Sequence, residues 1–184
     1  MRKFFIGFCV VFSISACKHT ATINAEEAAE VIGVHLKTNP QYTTTKFDFG
    51  KIKFNSKAEY KELDKYKYLA DGGYISLNLE NAKKKFLSKD SSYTYTVKLT
   101  DLAKPFVLKQ SNDKATVKAV IYELTDEKPV DFSKVSDTRA KAVVSLKRVN
   151  TPFSAFQKNP QENSDFMTKT YQLGYDKNKG WHVR

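Results

Sequence analysis

Apolar and polar residues alternate one for one in several stretches of this chain, and a period of two commits those stretches to β-strands. Between Tyr42 and Phe54, Thr43, Thr45, Phe47 and Phe49 share one parity, while Tyr42, Thr44, Lys46 and Asp48 share the other. Gly50 interrupts the pattern before Ile52 and Phe54 resume it, which predicts one or two strands with a bend or bulge at the glycine. Tyr93 to Leu99 is the cleanest case and predicts that Tyr93, Tyr95, Val97 and Leu99 face a core. Tyr74–Leu79, Ala115–Leu124, Ala140–Val149, Phe166–Tyr175 and Trp181–Val183 read as further strands, the last two forming a hairpin that buries Trp181. With 13 Phe and 10 Tyr, the chain has the aromatic side chains that suit half-buried sheet.

Two stretches depart from this period. After Asn24, the residues Ala25, Ala28, Ala29, Ile32 and Leu36 recur at helical spacing. Asn24 and Glu27 occupy capping-box positions, and Asn39-Pro40 ends the helix. A second helix opens at Asn55-Ser56, buries a stripe through Tyr60, Leu63, Tyr66 or Lys67, and Tyr68–Ala70, and stops at Asp71-Gly72-Gly73. Asn81–Ser88 reads as a short helix or turn, and Asp126–Asp137 as a polar loop. Thr151–Asp165 reads as a long connection pinned by Phe153 and Phe156. The expected fold class is α+β: an N-terminal helix, a second helix with short strands, and a C-terminal antiparallel sheet. An N-terminal α+β lobe over 24–110 and an antiparallel β lobe over 111–184 divide the chain, or form one continuous domain.

The N-terminus is of another kind. Arg2-Lys3 precedes an apolar run from Phe4 to Ile14, closed by Ser15-Ala16-Cys17. A basic head, a short apolar stretch and small residues before a cut site describe a secretory signal. The run is shorter than the ~17–25 residues that a membrane span needs. Ile14-Ser15-Ala16-Cys17 resembles the lipobox of bacterial lipoproteins. The resemblance implies cleavage of residues 1–16, lipidation at Cys17, a lipidated tether over 17–23, and anchorage to a membrane. Lys18, where an aspartate commonly holds such proteins at the inner membrane, implies the outer membrane, with the periplasmic face favoured over the cell surface. The other cysteine, Cys9, leaves with the signal, so the mature chain is expected to hold neither disulfide nor free thiol.

Loss of Arg2 and Lys3 lowers the formal charge from +11 to +9. Such a balance favours anionic partners. Lys83, Lys84, Lys85 and Lys89 form the densest basic run and are the candidate binding residues. "YKYLADGGYISL" followed by "YTVKLTDLAKPFV" resembles the helix, glycine turn and wing hairpin of winged-helix regulators. Ala103-Lys104-Pro105 replaces that pattern's second glycine, and export removes the protein from a genome, so the unit is read as packing and no nucleic acid is expected. The strand order of the last seventy or so residues, ending in Gly180-Trp181, resembles small bacterial lipoproteins that carry no known activity.

Catalytic patterns are lacking. His19, His35 and His182 share no zinc-ligand spacing, and His35, beside the apolar helix face, reads as a packing residue. No G-x-S-x-G or phosphate loop occurs. The expectation is a non-enzymatic envelope lipoprotein without cofactor or metal, engaging an envelope protein. The alternatives are a binder of anionic envelope polymer or lipid, and a hydrolase whose site is assembled from distant residues.

Overall fold

The computed structural model describes residues 22–84, 91–125, 128–158 and 164–184. Cys17, Lys85 and Lys89 lie outside these residues. The fold is mixed α+β and rich in antiparallel sheet.

Helix α1 (Ala25–Thr38) starts as the sequence dictates. The Asn24 side chain accepts a hydrogen bond from the Glu27 amide at 2.8 Å, and the Glu27 carboxylate accepts one from the Asn24 amide at 3.0 Å. Ile23, at the end of the predicted tether, is buried in the same cluster as Ala28, which closes the entry as a hydrophobic staple. Ala28, Ala29, Ile32 and Leu36 are buried, and His35 is half-buried against the edge of the Tyr171 ring, 6.0 Å between centroids.

Strands β1 (Gln41–Asp48) and β2 (Gly50–Phe54) follow, separated by Phe49. Gly50 takes φ +84°, a left-handed conformation that side chains disfavour. The turn sends the two strands to different sheets. Helix α2 (Lys57–Asp71) is capped by Ser56 and buries Leu63, Tyr66 and Leu69, whereas Tyr68 is exposed rather than part of the stripe. At its end Gly72 stays right-handed and Gly73 supplies the positive φ, +75°.

Strands β3 (Ile75–Lys84) and β4 (Ser91–Leu99) complete a three-stranded sheet of order β2-β4-β3. Asn81–Lys84 is therefore strand, not helix or turn. Its residues are held in a ladder, Asn81 opposite Thr94 and Lys84 opposite Ser91, and the Tyr60 hydroxyl donates to the Ser91 carbonyl.

The second sheet has seven strands. Its main order is β1-β6-β8-β9-β10, with β5 (Val107–Gln110) against β6 and β7 (Asp131–Ser136) against β8. The others are β6 (Lys114–Leu124), β8 (Arg139–Asn150), β9 (Phe166–Asp176) and β10 (Gly180–Val183). Strand β1 and helix α1 come from the 24–110 segment yet join this sheet. Strand β7 corrects the expected polar loop: it is fastened by backbone pairing at an edge, with only Phe132 partly buried, so it carries no burial pattern to read. Trp181 is half-buried rather than buried, 5.7 Å from the Tyr175 ring.

Two clusters fill the interior. One lies under α2 and is dominated by Phe47, Phe54, Tyr66 and Phe153. The other lies under α1 and is aliphatic: Ile32, Ala140, Ala142, Val144, Leu146 and Leu173. The 3₁₀ turn Pro152–Phe156 plugs the first; Phe153 is fully buried, 5.2 Å from the Phe47 ring, and Phe156 stands 5.0 Å from it.

Candidate functional site

Of the predicted basic run, Lys83 and Lys84 are described, and both are exposed at the far end of β3. A strand sends consecutive side chains to opposite faces, so these two do not converge. Residues 78–84 of β3 are exposed throughout. Glu80 sits at a register shift there and pairs with Lys51 at 2.7 Å while accepting from the Thr96 hydroxyl. These two hydrogen bonds, Lys51 first, hold the Glu80 carboxyl below its ordinary value. Lys83 and Lys84 thus stand on the exposed end of a strand.

The lysines that do come together belong to four separate segments. Strands β1, β6 and β5 lie side by side, and their inward residues Phe47, Ala115, Val117 and Val107 close the aromatic core. Their outward residues form a different surface. Lys46 lies opposite Thr116, Asp48 opposite Lys114, and Lys109 opposite Thr116 from the other side. Diagonal neighbours in a sheet are roughly 7–8 Å apart, and residues two strands apart about 10 Å. Lys46, Lys109 and Lys114 thus make a triangle of that size, with Thr116 on its Lys46–Lys109 side. Lys46 Nζ already donates to Thr116 Oγ1 at 2.8 Å. Among the described residues, none of the three enters an ion pair, whereas Lys51, Lys67, Lys104, Lys128 and Lys134 each do.

The triangle opens into two adjoining hollows. One, of ≈ 560 Å³, is lined by Lys46, Lys109, Ser111, Lys114, Thr116 and Lys158, with Asp48 the one acid among the described residues. The other, of ≈ 410 Å³, continues along Thr44, Thr45, Phe156 and Gln157. Lys46, Thr116 and Lys158 line both, so the hollows form one shallow groove.

The far wall is positioned by Thr151. This buried residue donates its hydroxyl to the carbonyls of Lys118, at 2.7 Å, and Ala119, at 3.0 Å. Those carbonyls lie where β6 bulges: Thr43 faces Val120 and Thr44 faces Lys118, leaving Ala119 over. The bulge flips the parity of β6, so Ala119 and Val120 are both buried. The Thr151 hydroxyl also accepts from the Phe153 amide and starts the 3₁₀ turn. Gln157 and Lys158 then leave along β1, the Phe156 carbonyl accepting from Thr45 Oγ1 at 2.8 Å and Gln157 Nε2 donating to Thr43 Oγ1 at 3.2 Å.

Beneath the groove, the Tyr66 hydroxyl donates to the Asp48 carbonyl at 3.0 Å. Burial, then the charges of Asp48 and Glu62, push this phenol far above its ordinary value, so it stays protonated. The carboxyls with resolved shifts are Glu26, Glu59, Glu80, Asp101 and Asp176, all held low by hydrogen bonds at the surface. No group of three or more His, Cys, Asp or Glu close enough to hold a metal ion occurs among the described residues.

The helix, glycine turn and hairpin that resemble a winged helix are α2, Gly72-Gly73 and β3–β4. Only Asn55-Ser56 separates β2 from α2, so no helix precedes α2 there, and the four lysines of α2 are matched by four acids. That balance suits a solvated face better than a phosphate backbone. No helix among the described residues is long and apolar enough to cross a membrane. No protein-family model, no curated protein and no solved structure matches the chain.

Proposed function

We propose that this chain is a lipid-anchored, non-catalytic binding module of the bacterial outer membrane, held through Cys17 on the periplasmic side and engaging an anionic component of the envelope. The groove around Thr116 is the observation that carries the choice of partner. Lys46, Lys109, Lys114 and Lys158, from four segments, line one concavity in which Asp48 is the single acid among the described residues. Like charges gathered in this way cost self-repulsion, and an anion relieves it. The anchor rests on Ile14-Ser15-Ala16-Cys17. Each buried methylene of an acyl chain contributes ~0.8 kcal/mol, so two or more chains hold firmly. With Ile23 built into the core, at most Lys18 to Thr22 can span the gap from Cys17 to the folded body, roughly 17 Å when extended. The folded body therefore stays close to the membrane that holds it.

A protein partner is the second reading. The exposed length of β3 favours it, with Leu79 53 % exposed on a strand that pairs only with β4 among the described residues.

Metabolic labelling with a fatty acid, followed by density-gradient separation of membranes, tests the anchor. The wild-type chain takes up label and sediments with the outer membrane, and Cys17→Ala does neither. Unlabelled wild-type protein in the soluble fraction overturns the proposal.

A further inference from the structure

We infer that the groove takes a phosphate-bearing sugar chain, with one phosphate on the Lys46–Lys109–Lys114 triangle and the adjoining sugar along Thr44, Phe156 and Gln157. This inference rests on the binding-module reading and names the ligand of that site.

The triangle fits a phosphate. Three ammonium groups on flexible stems can close on one compact dianion from corners roughly 7–10 Å apart. Thr116, in line between Lys46 and Lys109, accepts from Lys46 and has its own hydroxyl proton to offer the ligand. The groove is longer than one phosphate needs. Its ≈ 410 Å³ continuation carries hydroxyl and amide groups at Thr44 and Gln157, beside the half-buried ring of Phe156. Hydroxyl and amide groups with one aromatic face suit a sugar ring, and Lys46 and Lys158, which also line this part, suit a phosphate beside it.

Shape separates a chain from a membrane. A bilayer presents a broad plane, and lysines reach it best from a flat or protruding surface. Here they line a hollow flanked by Ser111 and by Lys158, whereas Lys83 and Lys84 stand on the exposed end of β3. Asp48, opposite Lys114, sets a limit: it repels a second anion at that end and favours chains whose phosphates are spaced by neutral sugars.

The test uses the full lipidated chain in neutral detergent micelles, with phosphomannan, dephosphorylated mannan, inorganic phosphate and pure phosphatidylglycerol vesicles as probes. Phosphomannan binds, and affinity falls by about tenfold or more between about 50 and about 200 mM salt. The combined variant Lys46→Gln, Lys109→Gln, Lys114→Gln loses about tenfold or more, while Lys83→Gln with Lys84→Gln changes affinity by less than about twofold. Inorganic phosphate competes only weakly, and dephosphorylated mannan does not bind. Equal losses in the two variants overturn the inference, since net charge alone would then act. Efficient displacement by the vesicles overturns it in favour of a lipid headgroup surface. A chain that is lipidated and retains envelope material, yet ignores phosphomannan, overturns the ligand assignment and leaves the module reading standing. Matched thermal unfolding of the variants shows that folding is not the cause.

Discussion

Two surfaces of this molecule carry lysines on β-strands, and they differ in what stands behind them. The groove side chains rise from β1, β5 and β6, whose opposite faces close the aromatic core through Phe47, Ala115 and Val117. The outer half of β3 has no buried residue behind Lys83 and Lys84, and only its ladder with β4 holds it. Identical residues on identical backbone thus have different capacities. A framed lysine can be aimed at a ligand in advance, whereas a lysine on an unsupported arm pays in entropy for each contact it makes.

The comparison breaks most readily at Phe153. This fully buried ring packs against Phe47, Tyr74 and Phe106. Phe153→Ala is expected to cost ~3–5 kcal/mol in urea unfolding and to loosen the Gln157–Lys158 wall. A loss below about 1 kcal/mol shows that the turn does not brace the groove. Next is Thr151→Val, which keeps the shape but leaves the bulge carbonyls of Lys118 and Ala119 without their hydroxyl donor. It is expected to cost ~1–3 kcal/mol by the same assay.

Hydrogen exchange sharpens the contrast without mutation. Amides of Ala115–Val120 should exchange at the rate of global unfolding, and those of Leu79–Lys84 through faster local opening. Equal protection would remove the distinction between framed and unframed surfaces. The smallest effect is in acid. The Glu80 carboxyl is held low by Lys51 and Thr96, so its bridge contributes fully above its unfolded value of about 4.3 and is lost as pH falls through the folded one. Side-chain resonances of Lys51 and Thr96 should shift in that range.

Much of this was open to reading in the sequence. The cap of α1, its buried face and the outward parity of Lys46 follow from local spacing alone. The alternation of β1 even separates Lys46 from Phe47 correctly. What was hidden is register. Lys46, Lys109, Lys114 and Lys158 come from four segments, and only the pairing of β1 and β5 with β6 brings three of them around Thr116. A contiguous run such as Lys83–Lys84 attracts notice because it is adjacent in sequence, yet strand geometry turns adjacent residues apart. Strand β7 escaped notice because backbone pairing, rather than burial, holds it. The apolar residues on both parities of Ala115–Leu124 were the one sign of the Ala119 bulge, and Thr151, which satisfies it, lies 32 residues away.

The most direct test of the account is an amide chemical-shift titration of the full chain in neutral micelles with phosphomannan. The framed surface is predicted to respond, with saturable shifts at Lys46, Ser111, Thr116 and Gln157 and none at Lys83 or Lys84. Shifts confined to the β3–β4 arm, with the residues around Thr116 unmoved, would contradict it.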